Sequence, residues 1–345
     1  MFEPLKKFVG AALEPELMEN IDVKQKEHMF LYNYNDKFLV PRYHPIIIKC
    51  RGLVLREDGK VLNYPFNRFF NPYEKEAAII DWRTTEIQEK LDGSLICVFW
   101  VEGHWEITTR GSFYPNDYAG AEFDVWFREL FHGFDLLNKN ICYMFELVTD
   151  KNRIVTWYDD SFVTLVGARN TETLQEVPQL DLDKTVQELG VRRPRKYNAK
   201  NLEECKQLFK SLRDDEEGLV AVDSVFNRLK LKQDTYLQLS KIKMLNNNDI
   251  LDYVRGKTEL DGELLQKDKK VFERVEEIRG EWAELQYFIE QTFNELKITS
   301  SRKEFALQAL KFSFKAFLFS MLDNKQPRTL RLTYEDMQRW MGELP

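Results

Sequence analysis

The sequence predicts an α+β fold followed by an all-helical region, and two patterns support this prediction. Between about residues 28 and 236, short runs rich in Ile, Val, Leu, Phe and Thr are separated by polar or Gly-containing turns, as strands are. After about residue 245 these runs stop, and apolar residues recur at spacings of three and four, which indicates helices. Because the strand runs mix irregularly with helical stretches, an α+β arrangement is favoured over regular β-α-β alternation.

The elements of the first region follow from these runs. We predict strands at residues 44–57, 93–100, 104–110, 140–148, 162–169, 218–223 and 228–233. Helices are predicted over residues 118–134 and 201–215. Asn201 is a suitable N-cap for the second of these helices, because its side chain can accept a hydrogen bond from a free backbone N–H.

The second region reads as a small helical domain. Apolar side chains from Val271 to Phe293 share one face of a long helix. Ser301 followed by Glu304 is a capping-box pattern, and it predicts a helix that runs on to Met321. Thr333 is predicted to cap a last short helix. We therefore predict two domains, at residues 1–243 and 244–345.

Composition places the chain among globular proteins and limits its partners. It is 43% hydrophobic and 31% charged, and it contains no apolar run of about 18 residues, so we expect no membrane span. The N-terminal residues lack a signal-peptide pattern, and the four cysteines are too far apart for a metal site, so we expect a cytoplasmic protein with reduced thiols. With a net charge of −7, binding to nucleic acid would need positive charge concentrated in a groove.

The segment Glu89-Lys90-Leu91-Asp92-Gly93 is the strongest candidate for chemistry. A lysine amine can attack the α-phosphorus of ATP if it has lost its proton, and the product is a phosphoramide, lysine-AMP. A free lysine has a pKa near 10.4, so cationic neighbours or burial must favour the neutral amine. Gly93 would allow a tight turn close to the nucleotide. Alone, K-x-D-G is a weak signal, and a surface turn between two strands is an equally open interpretation.

Further segments carry charges that suit a nucleotide. Glu146 could hold ribose hydroxyls or a metal-bound water, and Glu217 is a candidate ligand for Mg²⁺, which prefers oxygen. Lys230 and Lys232 alternate within a predicted strand, so their ammonium groups share one face, where they suit an α-phosphate. Arg51 and Arg110 occur in two other runs, KCRG and TTRGS. Taken singly, each of these residues could equally be an exposed charge, a solvent-facing strand residue or half of a surface ion pair.

The order K-x-D-G, F-E, E-G-x-V, K-x-K resembles the covalent nucleotidyltransferases, the superfamily of ligases and capping enzymes. The segments LDGSL, TRGSF, FELVTDKNRIV, EGLVAVD and LKLKQDTYLQL, with LYNYN, KCRGLVLRE and FNRFFN upstream, are more specifically similar to the tRNA-repairing RNA ligases of T-even phages. The resemblance runs from about residue 28 to 240. It implies a nucleotidyltransferase domain of antiparallel sheets with flanking helices, then an all-helical domain that selects the RNA.

The resemblance also implies an activity and its partners. The implied activity joins RNA 3′-hydroxyl and 5′-phosphate ends, with ATP, Mg²⁺ or Mn²⁺, and the intermediates lysyl-AMP and AppRNA. Nicked tRNA is an implied substrate, an end-healing kinase-phosphatase is an implied partner, and the host cytoplasm is the implied location if the source is a phage.

The resemblance assigns site residues as follows. Lys90 is the adenylated nucleophile, Asp92 and Gly93 belong to its motif, and Glu217 also serves as the metal ligand. Lys230 and Lys232 complete the catalytic set. The implied ATP-binding residues are Tyr32, Arg51, Arg68, Phe70, Glu89, Arg110, Glu146 and Tyr236. Arg68 and Arg110 stand where lysines are expected, which keeps the charge but changes the donor geometry.

Three other interpretations remain open. A DNA ligase or a capping guanylyltransferase shares the lysine-centred site, but those families usually append a β-barrel where this chain predicts helices. A catalytically silent RNA-end-binding protein could use the same fold. The helical domain could instead act as a partner-binding module; its nearly balanced charge gives no sign of broad attraction to RNA.

Overall fold

A computed structural model describes residues 1–37, 39–113, 122–299, 301–323, 325 and 330–342. The chain forms two compact units, Met1–Tyr236 and Leu237–Pro345. The break between them falls within helix α6 (Asp234–Lys243), close to the domain boundary that the sequence suggested at residue 243. None of the helices in the described part of the chain combines the length and the apolar character that a membrane span requires.

The first unit contains three four-stranded antiparallel sheets, counted over the described residues. In the first sheet the order is β1 (Ile21–Lys26), β2 (Met29–Tyr34), β3 (Arg51–Arg56) and β4 (Val61–Asn63). In the second sheet it is β10 (Lys196–Tyr197), β5 (Glu86–Lys90), β11 (Gly218–Val222) and β12 (Arg228–Lys232). In the third sheet it is β7 (His104–Thr109), β6 (Ser94–Val101), β8 (Ile141–Val148) and β9 (Phe162–Asn170). The predicted α+β class with antiparallel sheets is confirmed.

Helices flank these sheets, namely α1 (Glu3–Val9), α2 (Pro15–Glu19), α3 (Phe123–Leu130), α4 (Gln179–Leu189) and α5 (Leu202–Leu208). The predicted cap of α5 is confirmed, because the Asn201 side chain accepts a hydrogen bond from the Glu204 N–H. Residues 118–121 of the predicted helix at 118–134 lie outside the described residues, and α3 ends at Leu130. Apolar residues of α3 and α4, such as Phe127 and Leu182, pack on the third sheet in a hydrophobic core.

One strand prediction was too long. Residues 44–57 were expected to form a single strand, but only Arg51–Arg56 pairs with β2. Residues 44–50 form tight turns, in which Ile48 donates to the His44 carbonyl and Cys50 donates to the Ile46 carbonyl. Pro45 has no N–H for a sheet ladder, which disfavours a strand at this point.

The second unit is helical throughout its described residues. After α6 it contains α7 (Asn247–Val254), α8 (Gly262–Lys267), α9 (Lys269–Thr299), α10 (Arg302–Ala309), α11 (Lys315–Leu322) and α12 (Tyr334–Met341). The predicted caps at Ser301 and Thr333 are confirmed as capping boxes. The helix predicted to run to Met321 was wrong, because the chain turns between α10 and α11. This turn buries Phe314 against the rings of Phe288 and Trp340.

Candidate active site

The second sheet brings together three residues that are far apart in the sequence. Lys90 ends β5, and Lys232 ends β12. The central strand β11 begins at Gly218, which pairs with Lys90 on one side and with Lys232 on the other. Glu217, the residue before Gly218, therefore lies between the two lysines.

Glu217 bridges both lysines. Its buried carboxylate accepts a hydrogen bond from Lys90 Nζ at 2.6 Å through Oε2, and its Oε1 forms an ion pair with Lys232 Nζ at 2.7 Å. Lys230 shares a face with Lys232 because side chains alternate along a strand. Burial lowers the pKa of Lys230, and the nearby cations Lys232 and Lys90 lower it further. The face thus concentrates positive charge around one carboxylate.

Two glycines let the backbone come this close. Gly218 has a φ of +136°, and a Cβ on it would lie 2.0 Å from the Leu231 carbonyl oxygen. A Cβ on Gly93 would lie 2.4 Å from the Leu147 carbonyl oxygen of β8. Any larger residue at Gly93 would therefore push the lysine motif away from the third sheet.

Asp92 has a defined role that the sequence did not reveal. One carboxylate oxygen accepts hydrogen bonds from the N–H groups of Val155 and Thr156, at 2.7 and 2.8 Å. The other accepts from the Tyr236 hydroxyl at 2.8 Å, and burial is the main reason that the pKa of Tyr236 is raised. The Asp92 N–H also donates to the Tyr158 hydroxyl. Asp92 thus fixes the lysine motif to the segment that follows β8.

We expect Asp92→Ala to destabilise the protein by about 3 kcal/mol, because it leaves three buried donors without an acceptor, each at a cost of about 1–3 kcal/mol. Urea unfolding of the two proteins measures this difference. Asp92→Asn retains one acceptor oxygen, so its loss should be smaller. An Asp92→Ala protein as stable as the parent would contradict this role.

Glu146 lies on β8, facing the same group of charges. Burial raises the pKa of its carboxyl to about 7; the cation of Lys90 opposes this shift and the carboxylate of Glu217 adds to it. Within the described residues it forms no hydrogen bond or ion pair, so its oxygens are free for a ligand. A carboxyl whose pKa is raised in this way is common at functional sites.

This shift predicts a pH dependence of folding in the absence of ATP and metal. The folded pKa of Glu146 is raised above the usual 4.5 to about 7. Its favourable contribution to stability is therefore complete below pH 4.5 and is lost as the pH rises through 7. The free energy of unfolding of Glu146→Gln, relative to that of the parent, should therefore be about 2 kcal/mol higher at pH 8.5 than at pH 5. Thermal unfolding of both proteins at both pH values measures this difference. An equal effect of the substitution at both pH values would contradict the raised pKa.

Two arginines lie against the ring of Tyr34, and a third interacts with Tyr34 electrostatically. The guanidinium of Arg68 lies 4.2 Å from the ring centroid and that of Arg110 lies 5.2 Å from it, and Arg110 also donates to the Tyr34 hydroxyl at 3.2 Å. Arg51 is largely buried, which lowers its pKa, and it interacts electrostatically with Tyr34, Arg110 and Glu146. We call Arg51, Arg68 and Arg110 the arginine cluster. The predicted residues Arg51, Arg68 and Arg110 are thus brought together.

Phe70 links the arginine cluster to the lysines. Its carbonyl accepts a hydrogen bond from the Lys230 N–H at 3.1 Å, and its ring lies 5.5 Å from the guanidinium of Arg68. The cation of Arg68 in turn helps to lower the pKa of Lys230, whose largest cause is burial. Phe70 therefore lies between Lys230 and Arg68.

The prediction for Tyr32 needs correction. Tyr32 is fully buried in the core beneath the first sheet, and its hydroxyl donates to the Met1 carbonyl at 2.7 Å. It therefore has no free surface for a phosphate. Tyr34, which is partly buried against the same core, meets Arg68 and Arg110 instead. The sequence run LYNYN contained both tyrosines but gave no means to choose between them.

Glu89 does not share the face of Lys90. Its carboxylate forms a two-point ion pair with Arg195, at 2.9 and 3.0 Å. Glu89 and Leu91, the neighbours of Lys90, border a cavity of about 250 Å³. The other residues that line the cavity include Trp157, Tyr158, Phe162, Thr164, Arg192 and Arg213. Aromatic and guanidinium surfaces of this kind suit a flat base.

Two residues that contact the site were not predicted from the sequence. Glu74 accepts hydrogen bonds from the backbone and side chain of Asn71, both at 2.6 Å, and its negative charge opposes the lowering of the Lys230 pKa by burial. Tyr158 anchors Asp92. Neither residue lies in a recognisable motif, although Tyr158 closely follows the run KNRIV.

The oxygen donors at this site fit a divalent cation. Glu146 has oxygens without a partner in the described region, and each oxygen of Glu217 has a second lone pair besides the one that meets a lysine. Carboxylates are the ligands that Mg²⁺ and Mn²⁺ prefer. The six nearby cations, which are Lys90, Lys230, Lys232 and the three members of the arginine cluster, would complement phosphate groups bound to the same ion.

Comparison with known proteins identifies the family of the chain. A family model described as RNA ligase matches residues 49–237, over half of the chain, and the chain belongs to this RNA ligase family. An RNA ligase of Rhodothermus phage RM378 is 26% identical, and the match covers 92% of this chain and 90% of the phage protein.

Two further similarities are more distant. A protein of Autographa californica nuclear polyhedrosis virus, named as a bifunctional polynucleotide kinase/RNA ligase, is 30% identical over 65% of this chain and 36% of its own length. Among solved structures, an archaeal ATP-dependent RNA ligase has a TM-score of 0.46 and 13% identity, covering 75% of this chain and 73% of the archaeal chain.

Proposed function

We propose that this RNA ligase uses ATP to join an RNA 3′-hydroxyl end to an RNA 5′-phosphate end, through AMP bound covalently to Lys90. The observation that supports this most strongly is the single buried carboxylate of Glu217 held between Lys90 and Lys232. A lysine on an ordinary solvated surface does not normally contact a buried carboxylate that it shares with a second lysine.

In the first step, Lys90 Nζ attacks the α-phosphorus of ATP. A P–N bond forms, the bond between the α-phosphorus and the bridging oxygen breaks, and pyrophosphate leaves. Glu217, 2.6 Å from Nζ, orients the amine and is close enough to accept its proton. Lys230 and Lys232 stabilise the charge that develops on the α-phosphate oxygens.

The rest of ATP has candidate contacts on the face that carries the Lys90 amine. Glu146 is suited to the ribose hydroxyls or to a metal-bound water. The arginine cluster is suited to the β- and γ-phosphates, because guanidinium groups bind phosphate oxygens in pairs.

Mg²⁺ or Mn²⁺ would be held by Glu217 together with Glu146. Such an ion neutralises phosphate charge and so makes the α-phosphorus easier to attack. Lys230, Lys232 and the arginine cluster provide positive charge to the phosphate groups whether or not the ion is bound.

In the second step, the RNA 5′-phosphate attacks the AMP on Lys90 and yields AppRNA with the free lysine. In the third step, the RNA 3′-hydroxyl attacks the 5′-phosphate of AppRNA, which forms the phosphodiester bond and releases AMP. The virus relative that is named as a kinase and ligase supports coupling to end healing, so RNA breaks, including nicked tRNA, are the proposed substrates. The proposed location is the cytoplasm, or the host cytoplasm for a phage-encoded enzyme.

We also propose that residues 1–243 form the adenylyltransferase domain and that residues 244–345 select the RNA. Deletion of residues 246–345 should leave lysyl-AMP formation measurable, because all the residues assigned to ATP lie before them. The RNA preference should be lost, with sealing of nicked tRNA falling about tenfold relative to an unstructured RNA. A truncated protein with the full preference of the parent would contradict this role.

Circularisation of a 5′-phosphorylated RNA tests the proposed function. We expect a phosphatase-resistant circle with ATP and Mg²⁺, and a much weaker reaction with the same DNA sequence. Preference for GTP would indicate a capping enzyme, and preference for DNA would indicate a DNA ligase. RNA binding without any nucleotidyl transfer would indicate a silent end-binding protein.

A further inference from the structure

The cavity that Glu89 lines lies on the opposite face of β5 from the Lys90 amine. Its volume is about 250 Å³, and Trp157, Tyr158 and Phe162 contribute aromatic rings to its lining. We call it the Trp157 cavity. Because neighbouring side chains of a strand point to opposite faces, a group bound in this cavity is separate from the nucleotide that reacts at Lys90.

Trp157 gives the cavity an aromatic surface that solvent reaches. Its side chain is 58% exposed, and the Arg153 guanidinium lies 4.5 Å from the centroid of its ring. The backbone of Trp157 is fixed, because its N–H donates to Asp215 and its carbonyl accepts from Arg213, both at 2.7 Å. A large ring on a fixed backbone offers contact area at a small cost in conformational freedom.

The charges around the Trp157 cavity favour an uncharged ligand over a phosphate. Four arginines line it, and each has a carboxylate partner. The ion pairs join Arg192 to Asp160, Arg193 to Asp183, Arg195 to Glu89 and Glu216, and Arg213 to Asp215. A phosphate would compete with these carboxylates for the guanidinium groups. An uncharged group with both donors and acceptors can instead bind to either member of a pair.

A nucleobase is an uncharged group of this kind. Proteins bind the bases of single-stranded RNA by stacking them on aromatic rings or guanidinium planes and by hydrogen bonds to their edges. The cavity offers the ring of Trp157 and the guanidinium of Arg192, which lies 4.2 Å from the centroid of the Phe162 ring. Its volume is below the roughly 300–1,000 Å³ of sites that enclose a whole ligand, so it suits one base with its sugar and phosphate outside.

The cavity is connected to the lysine motif. Tyr158 lines it, and the Tyr158 hydroxyl accepts a hydrogen bond from the Asp92 N–H at 3.0 Å. Glu89 and Leu91, the two neighbours of Lys90, line it as well. A base in the cavity would therefore contact residues that hold the lysine motif, without occupying the face of the amine.

We propose that the Trp157 cavity binds one base of the RNA strand, at a nucleotide away from the end that receives AMP. This assignment rests on the proposed function, which places the reacting end of the RNA on the opposite face of β5. No bond is made or broken in the cavity. A free nucleotide carries the same kind of base, so the test must separate RNA from ATP.

Substitution of Trp157 tests the assignment. Trp157→Ala removes the stacking surface, and Trp157→Phe retains a ring. Tyr287→Ala removes a ring of similar exposure, 65%, from α9 and is the matched control. The assay measures single-turnover transfer of AMP from isolated lysyl-AMP protein to a 5′-phosphorylated, unstructured RNA with a blocked 3′ end and a length of about twelve nucleotides, within the usual site sizes for single strands.

We expect Trp157→Ala to raise the RNA concentration for half-maximal transfer about tenfold, the effect of one lost stacking contact. Trp157→Phe and Tyr287→Ala should stay within about twofold of the parent. The slope of log affinity against log salt should not change, because no phosphate contact is lost. Formation of lysyl-AMP from ATP should also be unchanged in Trp157→Ala, since ATP binds on the other face.

The length of the RNA separates base binding from an effect on the lysine motif. A 5′-phosphorylated trinucleotide has too few nucleotides to pass from the face of Lys90 to the opposite face of β5. Trp157→Ala should therefore transfer AMP to the trinucleotide as the parent does. An equal loss with the trinucleotide and the longer RNA would overturn the assignment, because Trp157 would then act only through the lysine motif.

The other outcomes also decide between the levels of the proposal. An unchanged half-saturation of Trp157→Ala with the longer RNA would reject the cavity assignment. A higher ATP requirement for lysyl-AMP formation would reject it in favour of an ATP site, and a smaller salt slope would reject it in favour of a phosphate contact. A parent protein that forms no lysyl-AMP would instead overturn the proposed function itself.

Discussion

Lys90→Ala should reduce the formation of covalent enzyme-AMP by more than about a thousandfold, because no other side chain can take the place of a covalent nucleophile. Nζ of Lys90 is the amine that Glu217 aligns, at 2.6 Å. Lys232 also reaches Glu217, but it lies at the end of β12 on the other side of the central strand. Labelled ATP and a denaturing gel measure the loss.

The same variant has an internal control. Sealing of RNA that already carries a 5′-AMP does not require the nucleophile, so Lys90→Ala should keep a substantial part of this last activity. Retention of this activity would also show that the variant is folded. If Lys90→Ala formed enzyme-AMP at the rate of the parent, another residue would be the nucleophile. Equal loss of both activities would mean that Lys90 has a wider role or that the substitution damaged the fold.

After Lys90→Ala, Glu217→Gln should lower the rate of lysyl-AMP formation most. The substitution keeps the shape of the side chain but removes the negative charge from between Lys90 and Lys232. The two ammonium groups then repel each other, and neither is held by a carboxylate. We expect the rate of lysyl-AMP formation to fall roughly 10²–10³-fold, the usual effect of losing one organised electrostatic contact. Because Glu217 is buried, the substitution should also lower the free energy of unfolding by about 2 kcal/mol. This is less than the cost of breaking a fully buried ion pair, because both lysines remain partly exposed.

Metal titration and a surface control complete this test. Glu217→Gln should require a higher Mg²⁺ concentration for half-maximal rate, since one oxygen ligand has lost its charge. Glu203→Ala removes a carboxylate from the exposed surface of α5 and should leave the rate within twofold of the parent. A near-normal rate for Glu217→Gln would remove this residue from the catalytic site.

Much of the fold follows from local sequence pattern. Short runs rich in Ile, Val, Leu, Phe and Thr marked most of the strands in the second and third sheets, and Asn201, Ser301 and Thr333 act as helix caps, as predicted. These strands and caps could be predicted because they depend on residues that are close together in the sequence. The failures at residues 44–50 and between α10 and α11 occurred where turn hydrogen bonds or the burial of Phe314 overrode an apolar pattern.

The site was harder to predict than the fold, because its geometry depends on pairing between distant strands. The motifs indicated Lys90, Glu217 and Lys232, but the shared carboxylate depends on the register at Gly218. The contacts of Asp92 depend on a loop more than sixty residues away, so sequence analysis could assign it no partner. Tyr32 is fully buried whereas Tyr34 contacts Arg68 and Arg110, a difference that the run LYNYN does not reveal.

The central claim is that Lys90 carries AMP, and one measurement tests it most directly. The protein is first treated with pyrophosphate to remove any bound AMP, and is then incubated with α-labelled ATP and Mg²⁺. It is denatured and digested, and the labelled peptide is sequenced. The account predicts an acid-labile label on the peptide that contains Lys90. A label on a different residue, or no label with either ATP or GTP, would contradict it.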